Sequence, residues 1–212
     1  HLRRLKVSPT VELLAEVDST NSEAERRLAV GQEAPFAVLA RSQKAGRGRL
    51  GRKWHSTQAG NLYLSLAFRP FIPPERLKPF TLWMGLALCA HVEKSLGLKL
   101  GLKWPNDLQS PDGRKVAGML TEARLDADSV RELVFGLGLN FTGQPKDFPA
   151  EIRATAGSLE AAVGAAADGA PGGGRRQDPG QDQRRGRQLQ RALGRLARVR
   201  LGGLEPAGGR DG

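Results

Sequence analysis

The sequence predicts an α+β fold: a mixed, mostly antiparallel sheet flanked by helices. Three observations carry this. Leu62, Leu64, Leu66 and Phe68 alternate with Tyr63, Ser65 and Ala67, which is the period of a strand. Residues 115–125 and 130–139 flank Asp126-Ala127-Asp128-Ser129, a turn-rich linker suited to an antiparallel hairpin. Strands outnumber helices, and several follow one another directly, which a βαβ repeat would not allow.

The elements follow in order. Ser19-Thr20-Asn21-Ser22-Glu23 reads as a helix start, with Thr20 as cap and Glu23 completing a capping box; the helix should run to Val30 and stop at Gly31. Pro35 bounds an apolar strand over 36–41. Phe80, Trp83, Met84, Ala87 and Leu88 form a broad apolar stripe, which predicts a core helix over 80–96 ending at Gly97. Leu98, Leu100 and Leu102 then alternate as a half-buried strand. Pro105 should end that strand and set Asn106 and Asp107 on a turn.

Residues 1–163 are expected to form one domain and 164–212 a Gly/Arg/Ala-rich tail. The chain has no lysine after Lys146 and no aromatic after Phe148, while 13 of its 27 glycines lie from Gly164 onward. Such a stretch lacks the apolar area that offsets chain entropy, so the tail is expected to be disordered, apart from a short amphipathic helix over 188–201. No run of 18 apolar residues and no apolar leader occur, and Cys89 stands alone in an apolar segment. The expectation is a cytoplasmic protein with a buried structural thiol and no membrane partner.

The formal net charge of +11 raises nucleic acid as a partner. Its distribution points elsewhere. Six basic residues fall between Arg41 and Lys53, and no acid occurs from Ala34 to Pro74. Within that field lies Gly46-Arg47-Gly48-Arg49-Leu50-Gly51-Arg52, followed by Trp54. Its backbone NH groups and guanidinium forks suit phosphate or carboxylate oxygens, although taken alone it reads equally as a solvated loop. The run fits G-x-G-x-x-G, but a dinucleotide site needs a helix straight after the last glycine. Here a strand follows, so the run links two strands.

Two further groups stand beside this loop in sequence. Lys103-Trp104-Pro105-Asn106-Asp107-Leu108 gathers a cation, an amide and a carboxylate that could handle a nucleotide and its metal. Lys115-Val116-Ala117-Gly118-Met119-Leu120 has small residues that allow another group close to the backbone.

Together with Asp18-Ser19-Thr20-Asn21, the segment from Gln43 to Trp54, Asn61-Leu62-Tyr63 and Gly136-Leu137-Gly138-Leu139-Asn140, these motifs make the chain resemble the biotin protein ligases over residues 17–140. The resemblance implies a catalytic domain of the class II aminoacyl-tRNA synthetase type. It also implies an enzyme that forms biotinyl-5′-AMP from biotin and Mg-ATP and then passes biotin to a lysine of a biotin carboxyl carrier domain of acetyl-CoA carboxylase or a related carboxylase. By the family pattern Ser19, Thr20, Asn21, Gln43, Gly46, Arg47, Gly48, Arg49, Lys115 and Gly118 would bind biotin. Arg47, Arg49, Trp54, Lys103, Asn106, Asp107 and Asn140 would bind ATP or the adenylate, with Asp107 meeting Mg2+ through ATP. Lys115 and Arg49 would be catalytic.

The chain departs from the family in two ways. Some eighteen residues precede the first motif, which implies the non-repressor type without a DNA-binding domain. The family's small C-terminal β-barrel should follow the catalytic domain, but nothing after Gly164 reads as strands. The abrupt change of composition has the pattern a shifted reading frame would leave. Homodimerisation through an exposed sheet edge is a family property that this sequence does not locate. The rival readings are a lipoate ligase-like acyltransferase and an arginine- and glycine-rich nucleic-acid-binding protein, the second weakened by a tail without aromatics for base stacking.

Overall fold

The structure is a computed structural model that describes residues 9–56 and 60–168. Strand β1 (Thr10–Val17) is followed by helix α1 (Thr20–Ala29), β2 (Phe36–Gln43) and β3 (Leu62–Phe68). Helix α2 (Phe80–Leu96) leads to β4 (Gly101–Lys103), β5 (Asp107–Gln109), β6 (Lys115–Asp126) and β7 (Ser129–Leu139), and α3 (Leu159–Asp168) closes the described part. The strands form one seven-stranded sheet in the order β1-β2-β3-β7-β6-β5-β4. Only β1 and β2 are parallel, joined by α1 in a single βαβ unit; the other pairs are antiparallel, so the sheet is mixed as expected. The long segment 169–212, with its expected disorder, helix and frame shift, lies outside the described residues.

Both faces of the sheet are covered. Ala24 and Leu28 of α1 pack on Phe36, Val38, Ala67 and Val134. Across the sheet, Phe80, Met84, Leu88 and Val92 of α2 and Leu159 of α3 pack with Met119, Phe135, Leu137 and Leu139. Phe80 meets Phe135 edge-on, with centroids 5.7 Å apart. Gly97, at φ 68°, ends α2 in the left-handed conformation that favours glycine.

In β3 the residues Tyr63, Ser65 and Ala67 are the more deeply buried set, because α1 and the loop after β2 cover their face. Several expectations need correction. Trp83 is 66% exposed and Ala87 is also exposed, since α2 is covered on one side only. Leu98 is buried but precedes the strand, which covers only 101–103. The chain reverses at Trp104–Asn106, so Asp107 is the first residue of β5, paired with Lys103, and does not sit in the turn. The capping box at Glu23 does not form. Ser19 is the N-cap residue, Thr20 lies inside the helix, and Glu23 pairs with Arg26 and Arg27.

Candidate active site

The site lies on the α1 face of the sheet, and its floor is made of glycine. Cross-strand register places Gly118 of β6 opposite Gly138 of β7, and Leu120 opposite Gly136, which in turn faces Ser65 of β3. A Cβ at Gly138 would come within 2.3 Å of the Trp54 ring, and one at Gly118 within 2.7 Å. A Cβ at Gly136 would lie 2.2 Å from Asn21 Oδ1. Trp54 and Asn21 therefore rest directly on the backbone of the sheet. The tryptophan indole Nε1 is buried and has no hydrogen-bond partner among the described residues.

One end of the site is a buried, neutral polar cluster. Ser19, Thr20, Asn21, Gln43 and Ser65 are all at most 9% exposed. Gln43 Oε1 accepts from Thr20 N at 2.8 Å and from Thr20 Oγ1 at 3.1 Å, while Gln43 Nε2 donates to Ser56 Oγ at 2.9 Å. Ser65 Oγ lies 2.8 Å from Thr20 Oγ1 and 2.5 Å from Asn21 Oδ1. Asn21 Nδ2 donates to Glu122 Oε2 at 2.8 Å. Gly46 stands behind this cluster: a Cβ there would meet Trp54 O at 2.5 Å and Ser56 Oγ at 2.7 Å.

The other end is cationic. Lys115, at the start of β6, places Nζ 2.8 Å from Asp107 Oδ1 and 5.3 Å from the centre of the Trp54 ring. The contact with Asp107 is ionic and lacks the alignment of a hydrogen bond. The arginine-glycine segment forms a small hairpin-like loop above: Gly48 N donates to Arg52 O at 2.7 Å and Trp54 N to Gly46 O at 2.8 Å. Arg49 Nη1 reaches Asn106 Oδ1 at 3.4 Å. Arg47, expected to grip an anion, is taken up instead by Glu25, Glu122 and Ser22. Burial pushes the Glu25 carboxyl above its usual range, and repulsion from Glu122 adds to this.

A cavity of about 340 Å³ joins the two ends. Of the residues singled out from sequence, Ser19, Thr20, Asn21, Gln43, Arg47, Gly48, Arg49, Trp54, Lys103, Asn106, Asp107, Lys115 and Gly118 line it. Asn140 does not. Its Nδ2 donates to Gly157 O at 3.0 Å, and its backbone ties β7 to Val116 and Leu159. Ser65, Ser56 and Glu122 contact the residues of the candidate site and were not singled out from sequence. The signal for Ser65 was a hydroxyl within an otherwise apolar strand. Cys89 is half-buried in α2, where burial raises its thiol pKa, and it does not line the cavity.

The Biotin/lipoate A/B protein ligase family matches residues 13–140. The "Bifunctional ligase/repressor BirA" of Bacillus subtilis is 40% identical over 127 residues, covering 60% of this chain and 39% of the relative. The "Biotin--[acetyl-CoA-carboxylase] ligase" of Paracoccus denitrificans is 39% identical over 145 residues, covering 68% of this chain and 59% of the relative. The chain thus spans 39% and 59% of these relatives' lengths, less than two thirds of each. Among solved structures, a biotin protein ligase from Aquifex aeolicus in complex with biotin and ATP is 32% identical with a TM-score of 0.60, covering 89% of this chain and 68% of that one. One from Leishmania major in complex with biotinyl-5-AMP gives a TM-score of 0.61 at 25% identity, covering 97% and 88%. The match over more than half its length, on a fold shared with these structures, establishes that the chain belongs to the biotin/lipoate A/B protein ligase family.

Proposed function

We propose that this chain is an ATP-dependent biotin protein ligase, acting on a lysine of a biotin carboxyl carrier domain. The observation that carries the reading is the polarity sequence along one cavity. A neutral donor and acceptor cluster lies at the closed end, an indole over glycine in the middle and a lysine at the mouth. Biotin carries a ureido ring at one end and a carboxylate at the other, and each end meets chemistry that suits it. The relatives named as biotin ligases, and the structures of similar proteins holding biotin, ATP or biotinyl-5-AMP, support the same assignment.

In this reading a biotin carboxylate oxygen attacks the α-phosphorus of ATP. The bond from that phosphorus to the bridging oxygen breaks, pyrophosphate leaves and biotinyl-5′-AMP forms. The neutral amine of the acceptor lysine then attacks the acyl carbon, AMP leaves with the bond electrons and the amine gives up a proton. Lys115 holds the carboxylate and then the acyl oxygen; a hydrogen bond to a charged group contributes about 1.5–3 kcal/mol. Arg49 and Lys103 face the phosphates across the mouth. Asp107 and Asn106 suit Mg2+ that arrives with ATP, because Mg2+ is commonly held by one or two carboxylates plus substrate phosphates. No group of three or more potential metal-ligating side chains occurs among the described residues.

The test is pyrophosphate release from ATP with biotin or lipoate as the acid, followed by transfer of labelled acid to a carboxyl carrier domain. Biotin-dependent release and labelling are expected. Release with lipoate alone would replace this reading by a lipoate ligase, and salt-sensitive RNA binding without either reaction would replace it by a nucleic-acid-binding protein.

A further inference from the structure

We infer that Arg114 is a positioning residue for Lys115: its guanidinium secures the segment 153–157, which holds the main chain of Lys115 and so fixes where its ammonium stands in the cavity. The inference rests on the reading of Lys115 as the group that holds the biotin carboxylate. Both main-chain polar groups of Lys115 are taken by this segment. Lys115 N donates to Thr155 O at 2.7 Å, and Gly157 N donates to Lys115 O at 2.9 Å. Ala156, between them, pairs with Lys115 as a parallel bridge. Strand β7 does not reach this point, since it ends at Leu139, whose partner on β6 is Ala117. Arg114 Nη1 donates to Arg153 O at 2.9 Å and to Ala156 O at 3.2 Å. Its stem lies on Gly157, where a Cβ would come within 2.8 Å of Arg114 Cβ. Asp112 Oδ2, 3.3 Å from Arg114 Nε, steadies the guanidinium.

Arg114 does not line the cavity, so its removal deletes no contact with a ligand. It acts through the backbone beside it. Without the guanidinium the carbonyls of Arg153 and Ala156 lose a donor, and the segment paired with Lys115 can shift along the start of β6. Lys115 carries its charge at the end of a flexible four-carbon stem, so a displaced main chain draws Nζ away from Asp107 and from the Trp54 ring. A misplacement of about 1 Å in a reacting group can cost about 100-fold in rate. Arg114→Met removes the donors while keeping an unbranched stem over Gly157.

The experiment uses the full chain and measures pyrophosphate release, together with equilibrium binding of biotin and of its uncharged methyl ester. Arg114→Met is expected to slow release about 10- to 100-fold and to weaken biotin binding far more than binding of the ester. In a Lys115→Ala background the same substitution should have no further effect. Arg114→Lys, which can offer donors to the same two carbonyls, should restore most of the rate. Equal weakening for biotin and its ester, or the same loss with and without Lys115, would make Arg114 a general support of the fold and overturn the inference. If Arg114→Met does not fold, Gly157→Ala takes its place, because the new methyl pushes the segment away from Arg114; parent-like release by that variant refutes the positioning. A parent chain that binds no biotin defeats the ligase reading instead. Acylation of Lys115 Nζ by acetic anhydride, read by mass spectrometry, then decides the positioning alone: several-fold faster labelling in Arg114→Met with the other lysines unchanged sustains it, and an unchanged rate refutes it.

Discussion

Lys115 is held at one point by forces of different kinds: the Asp107 carboxylate 2.8 Å away and the negative face of the Trp54 ring at 5.3 Å. In the proposed reaction an ammonium placed this way would meet developing charge without first reorganising. Lys115→Ala is expected to lower the rate of biotinyl-5′-AMP formation about 100- to 1,000-fold, read as pyrophosphate release; a rate equal to the parent's would remove Lys115 from the chemistry. The glycine floor makes a second prediction at this scale. In Gly138→Ala the new methyl must displace Trp54 or the strand beneath it, at a cost of about 1–3 kcal/mol. With Trp83 and Trp104 replaced by Phe, the emission of Trp54 should shift and biotin binding weaken. Unchanged emission and affinity would show that the ring does not rest there.

Among the elements, α1 and its N-cap supply Ser19, Thr20 and Asn21 to the polar end, and the helix start is held in an unexpected way. Ser19 makes no side-chain cap; Asp18 Oδ1 accepts from Ser19 N at 2.7 Å, and the Asp18 carboxylate receives both terminal nitrogens of Arg26 at 2.8 Å. The Arg26 hydrogen bonds hold the Asp18 pKa at about 2, below its reference of 3.8. A depressed carboxylate contributes stability that is fully present above the unfolded pKa and is lost as pH falls through the folded one. The Asp18 side chain is 47% exposed, so solvent screening keeps the contribution small. Urea melts should show Asp18→Asn less stable than the parent above about pH 5. The gap should close between the reference pKa of 3.8 and about pH 2. A pH-independent gap would assign the effect to something other than this ionisation.

The sequence placed a helix here correctly but misjudged its cap. The Thr20 hydroxyl is engaged by Gln43, which is 23 positions away and becomes a neighbour only when β2 lies beside α1. Helix α2 was legible to the residue, because an apolar run and a terminal glycine are local signals. Which of its faces is buried was not legible, since the run is apolar all round.

At the scale of the molecule, stability should follow the two cores and not the apolar content of α2. Phe135 is 1% exposed and touches Phe80, so Phe135→Ala is expected to cost about 3–5 kcal/mol in chemical denaturation. Trp83→Ala should stay within about 0.5 kcal/mol of the parent, because its ring faces outward. Equal losses from the two would contradict the packing described. No helix among the described residues is long and apolar enough to cross a membrane.

By itself the sequence determined the mixed α+β class, the β6–β7 hairpin and the limits of α2. These depend on period, turn chemistry and spacing, all of which act over a few residues. Only the tertiary structure decided which groups meet. Asn21 finds Ser65 and Glu122 across 44 and 101 positions, Arg47 turns to carboxylates instead of open solvent, and Asn140 faces Gly157 and not the cavity. Such partners follow from strand order and register, and a one-residue change of register turns a side chain to the opposite face of the sheet.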